Sequence, residues 1–201
     1  MSDNIANVFL PHLHEIEPST QFTFSQPVVT SSAGNKYYAK LGNVAESDQY
    51  IGEAESLKAI HDAAPGLVPR VFACGLVEGN PNGRPYFISE YKDMGSLSVK
   101  AAELLGKRIA TELHASKSGK GYGFHVPTYC GATRQDNGWF TTWEECYSSM
   151  IENLLLKLKG RRGSTELIAK GEEVRSRWVV TSNSLSSYTH WAELYRGCSV
   201  H

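Results

Sequence analysis

The chain has 201 residues, 41% of them hydrophobic, with 20 Lys and Arg against 21 Asp and Glu for a formal charge of -1. At roughly 150 residues per domain this predicts one domain or one and a half, large enough to bury a core without disulfides or a metal. The balanced charge excludes a protein whose affinity comes from neutralising nucleic-acid phosphates, the hydrophobic content excludes disorder, and no apolar run approaches the ~18 residues of a membrane span.

The first 20 residues carry Asp3, Glu15 and Glu17, with neither a basic start nor a long apolar stretch, so a non-exported protein is expected. Pro11 and Pro18 interrupt any helix there, and Ile5, Val8, Phe9 and Leu13 fit only a short one. His12 and His14 form an H-x-H, but nothing nearby in the sequence completes a metal site. Cys74, Cys130, Cys146 and Cys198 are widely spaced, with no C-x-x-C pair, which predicts reduced thiols and a cytoplasmic location.

From Pro27 the pattern sharpens. Val28 and Val29 make a short extended run, residues 31–35 supply turn formers, and residues 36–41 alternate as a strand, giving a hairpin whose second strand carries Lys40 near its end. A helix follows, capped by Ser47, with Tyr50, Ala54, Leu57 and His61 on one face and a stop before Pro65-Gly66. Residues 70–77 and 85–91 read as a second hairpin about the turn-rich 78–83. Ala102, Leu105, Ile109 and Leu113 then form a helical stripe over 98–116. A glycine-rich link at 118–123 leads to a loop at 128–137, and further helices are expected at 142–159 and 164–175. Beyond Arg177 a polar low-complexity stretch and an aperiodic end follow.

A lysine at the end of a strand, followed about a dozen residues later by a glutamate on an amphipathic helix, is how kinase folds hold nucleotide phosphates, and Lys40 and Glu53 fit that spacing. A solvated surface pair is the alternative reading. The strand ending at Tyr91 runs into a short polar link, a natural hinge whose backbone at Glu90, Tyr91 and Lys92 would read an adenine edge.

The ordered series G-R-P-Y-F-I-S-E-Y (83–91), M-G-S-L (94–97), L-G (105–106), L-H (113–114), Y-G-F-H (122–125), Thr128, C-G (130–131), Q-D-N (135–137) and Trp139 through Trp143 resembles the fructosamine kinase family, also called ketosamine 3-kinases or protein-ribulosamine 3-kinases, over about residues 27–177. The resemblance implies an α+β, protein kinase-like fold: an antiparallel, β-rich nucleotide-binding lobe with one helix over 1–91, a hinge and partial helical lobe over 92–177, and a divergent tail over 178–201. It implies ATP-dependent transfer of the γ-phosphate to the 3-hydroxyl of fructosamine or ribulosamine adducts on protein lysines or small amines, a deglycation repair step using ATP and Mg2+, with no nucleic-acid or membrane partner. By the same resemblance Lys40 holds phosphates with Glu53 as its partner, Glu90, Tyr91 and Lys92 contact adenine, and Asp136, Asn137 and Trp139 lie on the sugar side or pack the lobes. Trp139 and Trp143 are also read as core residues.

The sequence departs from the family in two places. Residues 21–26, where a phosphate-covering loop is expected, contain no glycine. The family's H-G-D-L-W-x-G-N catalytic loop is also absent, since none of His12, His14, His61, His114, His125, His190 and His201 is followed by Gly-Asp. His190 and Glu193 lack the accompanying G-x-x-N and read as a surface helix turn. No catalytic base or metal ligand is therefore assigned, and Mg2+ ligands are expected in a missing segment. Three readings follow: the N-terminal part of a ketosamine kinase, an inactive pseudokinase-like module that holds ATP or a partner, or a fragment without function of its own.

Overall fold

In the computed structural model the described residues are 5–77, 83–159 and 164–181, and of 177–181 only the backbone is described. The chain divides into two compact units, Met1–Leu113 and His114–His201. The expected turn at 78–83 falls almost wholly outside the described residues, as do His190, Glu193 and most of the expected tail.

The first unit opens with helix α1, Ile5–Ile16, which runs straight through Pro11. This corrects the expectation of a short, interrupted helix. An interior proline costs a helix about 3 kcal/mol or more. Phe9 and Leu13, both fully buried, offset that with about 1.5–3 kcal/mol each. Pro18 lies beyond the helix end, where Glu17 N–H still reaches the Leu13 carbonyl at 2.8 Å.

Five antiparallel strands follow in the order β1-β2-β3-β5-β4, comprising β1 (Phe22–Ser25), β2 (Val28–Ser31), β3 (Lys36–Leu41), β4 (Val71–Leu76) and β5 (Pro85–Glu90). Strand β1, read from sequence as a loop, pairs with β2 from Phe22 opposite Ser31 to Ser25 opposite Val28. Between β3 and β5, Tyr37 stands opposite Glu90, Ala39 opposite Ile88 and Lys40 opposite Phe87. Directly opposed residues share a face, so these pairs sort the two sides of the sheet. On one side Phe9 and Leu13 of α1 bury against Val29, Tyr37, Ala39 and Ile88. On the other, α2 (Ser47–Ala63) lays Tyr50 and Ala54 on Phe87, with Tyr38, Leu57, Val71 and Cys74 around them.

Ser47 is the first residue of α2 rather than its cap. Its hydroxyl donates back to the Val44 carbonyl at 2.7 Å, and the Glu46 carboxylate accepts the Asn43 N–H at 2.6 Å, closing a 3-10 turn that leads into the helix. Helix α3, Val99–Arg108, is capped by Ser98, whose hydroxyl accepts the Ala101 N–H at 3.2 Å, and it buries no residue. The single helix expected over 98–116 instead widens at Ile109–Leu113 into a π-type turn. There the Arg108 guanidinium grips Glu112 through two bonds and donates to the Pro65 carbonyl at 2.9 Å.

In the second unit the expected loop at 128–137 contains a hairpin, β7 (Thr128–Cys130) with β8 (Thr133–Gln135). A short ribbon pairs β6 (Tyr122–Gly123) with β9 (Trp139–Phe140). Gly123 has φ of 137°, and a Cβ there would lie 1.7 Å from the Gly138 carbonyl oxygen, so the ribbon closes only on glycine. Helices α4 (Trp143–Lys159) and α5 (Thr165–Thr181) follow, the second running six residues past its expected end.

Candidate nucleotide site

Lys40 projects from the α2 side of the sheet, opposite Phe87. Its ammonium meets the Glu53 carboxylate at 2.6 Å, a contact across thirteen residues of sequence made where α2 packs on the sheet against Phe87 of β5. The pair is partly open to solvent, with the lysine side chain 25% and the glutamate 39% exposed, so both groups are shielded yet within reach of a ligand. Two rings complete the surroundings: the Lys40 ammonium lies 4.7 Å from the centroid of Tyr50 and 5.2 Å from that of Phe87. Burial, followed by the nearby Glu46 and Glu53 carboxylates, pushes the Tyr50 phenol up to about 12, so it stays neutral beside the ion pair. Cys74 donates from Sγ to the Tyr50 carbonyl at 3.6 Å, and burial raises its thiol to about 11, leaving it a packing residue rather than a nucleophile.

Glu90, Tyr91 and Lys92 come together at the end of β5. The Glu90 side chain pairs with Lys92 at 2.5 Å, and this hydrogen bond holds its carboxyl below the usual carboxylate range. The Glu90 backbone N–H donates to the Arg70 carbonyl at 2.8 Å, so within the expected hinge that amide is already engaged. Glu90 and Tyr91 line an open cavity of about 430 Å3 with Asn35, Lys36, Tyr37 and Phe72. Lys36 sits over the Tyr91 ring at 5.6 Å. Lys40 does not line this cavity, which draws Lys36 and Tyr37 from the beginning of β3, whereas Lys40 stands near the other end of that strand.

The β1–β2 connection is a two-residue turn of Gln26 and Pro27. It lacks glycine, as the sequence indicates, and Pro27 also removes one N–H from the place where backbone amides would meet phosphate. Among the described residues no three His, Cys, Asp or Glu side chains gather to hold a metal ion. His12 instead stacks on Tyr86 at 4.7 Å, and His14 meets the edge of Phe22 at 5.4 Å.

The remaining sequence-predicted residues lie in the second unit. Asp136 pairs with Arg134 and, at 3.2 Å, with Lys157, whose ammonium also donates to the Arg134 carbonyl, fastening the β7–β8 hairpin to α4. The Asn137 amide donates to the Val126 carbonyl at 2.8 Å and the Thr128 hydroxyl at 3.0 Å. Trp139 is 36% exposed, with Lys120 5.6 Å above its ring, while Trp143 packs between Tyr122 and Tyr147.

Sequence reasoning missed Tyr50 as a neighbour of Lys40. The signal was present, since Tyr50 precedes Glu53 by three residues and so shares its helix face. It also missed Glu17, whose carboxylate accepts from the Tyr37 hydroxyl and, at 2.7 Å, from the Asn35 amide, tying the end of α1 to the β2–β3 turn.

The family model for fructosamine kinase matches residues 10–186, a longer span than the motifs indicate. A chloroplastic protein-ribulosamine 3-kinase of Oryza sativa subsp. indica is 32% identical over 145 residues, covering 72% of this chain and 41% of the rice protein. The Arabidopsis thaliana protein of the same name is 31% identical over 136 residues, covering 67% of this chain and 40% of its own length. The chain thus spans about two-fifths of the length of these curated relatives. A solved structure from Haemophilus somnus 129PT, assigned by name as a fructosamine-3-kinase, superposes with a TM-score of 0.64 at 18% identity, covering 91% of this chain and 62% of that one.

Proposed function

The chain belongs to the fructosamine kinase family and has its α+β, protein kinase-like fold, and from that premise we propose that it forms the nucleotide-holding part of an ATP-dependent ketosamine 3-kinase. The reaction proposed is transfer of the γ-phosphate to the 3-hydroxyl of a fructosamine or ribulosamine adduct on a protein lysine or a small amine, a deglycation step. The observation that carries this reading is the Lys40–Glu53 pair at 2.6 Å. A cation fixed in this way supplies charge to the α and β phosphates at little reorganisation cost, which is the main form of catalysis phosphoryl transfer needs.

In this reading residues 1–91 act as the nucleotide lobe and 92–177 as hinge and partial helical lobe. Backbone groups at Tyr91 and Lys92 take the adenine edge beside the engaged Glu90 amide, and Asp136, Asn137 and Trp139 shape the sugar side. The described residues do not fit a magnesium site, so no step is routed through Mg2+. Nucleic acid and membrane are not among the proposed partners. Among the described residues no helix is long and apolar enough to cross a membrane. The compartment proposed is the cytosol, in keeping with the free thiols of Cys74 and Cys146; the chloroplastic designation belongs to the plant relatives.

The absence of H-G-D from all 201 residues favours a second reading for this chain taken alone, an inactive module that binds nucleotide or a partner. Calorimetric titration of the chain with ATP tests the first part. Binding is expected, and Lys40→Ala should weaken it about tenfold or more, on the scale of losing a charge-assisted hydrogen bond. Equal affinity in both proteins would sink the assignment of Lys40. Phosphate transfer by the wild-type chain to a ribulosyl-lysine peptide would overturn the second reading.

A further inference from the structure

The Lys40 ammonium is held at three points: by the Glu53 carboxylate at 2.6 Å, by the Tyr50 ring at 4.7 Å and by the Phe87 ring at 5.2 Å. Phe87 is the strand partner of Lys40, so its proximity follows from sheet register alone. Tyr50 is different, because it reaches the lysine only through a gap in the chain just after β3. A Cβ on Gly42 would lie 2.7 Å from two ring atoms of Tyr50 and 2.9 Å from Cγ of Pro85. Gly42 cannot move aside to make room, since its N–H donates to the Pro85 carbonyl at 2.8 Å and its carbonyl accepts from Arg84 Nε at 2.8 Å. The ring, 9% exposed, is therefore clamped between a fixed backbone and the sheet, with its face toward the ammonium.

We propose that Tyr50 is a positioning residue for Lys40, and that Gly42 is the complement that lets it be one. A cation against a ring face is attracted by the ring quadrupole while its N–H groups stay free for anions. Glu53 alone would fix one end of a flexible four-carbon chain; the ring limits the remaining freedom and holds the ammonium at one place on the sheet. When the site receives phosphate, the ammonium can shift its hydrogen bonds without swinging away. This rests on the nucleotide reading of Lys40.

Two measurements on the whole chain test it. The first is trace acylation of lysines with an N-hydroxysuccinimide acetate read by mass spectrometry, with Lys58 on α2 as the reference. Tyr50→Met fills similar space without a ring face and should raise Lys40 labelling about fivefold, whereas Tyr50→Phe, which keeps the ring, should restore it. The second is affinity for ATP against adenosine: Tyr50→Met should weaken ATP about fivefold and leave adenosine unchanged, because only phosphate uses the lysine. Should Tyr50→Met lose its cooperative melt, Gly42→Ala, which displaces the ring without deleting it, takes its place and must raise the labelling. Unchanged Lys40 labelling in a folded variant overturns the proposal, as does a parallel loss of ATP and adenosine. If the wild-type chain binds no ATP, the nucleotide reading falls, and the labelling alone decides the role of Tyr50.

Discussion

Two buried phenols mark opposite sides of the sheet, Tyr37 against α1 and Tyr50 under α2. Burial raises each to about 12; the carboxylate of Glu17 adds to this for Tyr37, and Glu46 and Glu53 do so for Tyr50. The folded chain therefore keeps these protons at pH values where the unfolded chain, titrating near 10, releases them. The stabilisation is complete below about pH 10 and is lost as pH rises from about 10 to 12. Thermal melts should show wild type losing its advantage over Tyr37→Phe across that window, and a constant difference would refute the assignment. At this scale the sequence was partly legible. Lys40 and Glu53 were readable because their spacing reflects a strand followed by a helix, and that local geometry brings them together. Gly42 was not readable, because its meaning lies in what occupies the space beside it. Asp136 and Asn137 were visible as a motif, but only the fold reveals that both make bonds within their own unit.

Among the elements, α1 bears most directly on the order of the sheet. Leu13 is fully buried among Phe9, Val29, Tyr37, Ala39 and Ile88. Leu13→Ala should cost about 2–5 kcal/mol in urea unfolding, the range for a buried leucine cut back in a packed core. A cost below about 1 kcal/mol would mean that α1 is only loosely attached. Helix α1 was under-read because Pro11 argues against it locally while its partners are distant in sequence. Strand β1 was under-read because Phe22 and Phe24 make sense only as apolar residues beside β2 and α1. By contrast β3 was legible from its alternation, and β4 and β5 as extended segments on either side of the turn-rich residues 78–83. In α3 the stripe was read correctly as helical, and it lies open at its start, with Ala102 exposed and Leu105 37% accessible.

For the molecule as a whole, the division after Leu113 falls beside an exposed link that carries Lys117 and Lys120. Brief trypsin treatment should cut there first and leave the first unit as a protected fragment, because its sheet is covered by α1 and α2. Earliest cleavage at Lys40 or Lys58 would contradict this description of the first unit. The way α1 is anchored also bears on synthesis. Phe9 and Leu13 leave the ribosome well before Ile88 on β5, and the surface that covers them is complete only once that strand has followed. Until then the nascent chain carries an apolar helix face whose native partners are incomplete. Such late, non-local closure slows folding and exposes the chain to misassociation, so nascent molecules should depend on a holding chaperone until the fifth strand is made.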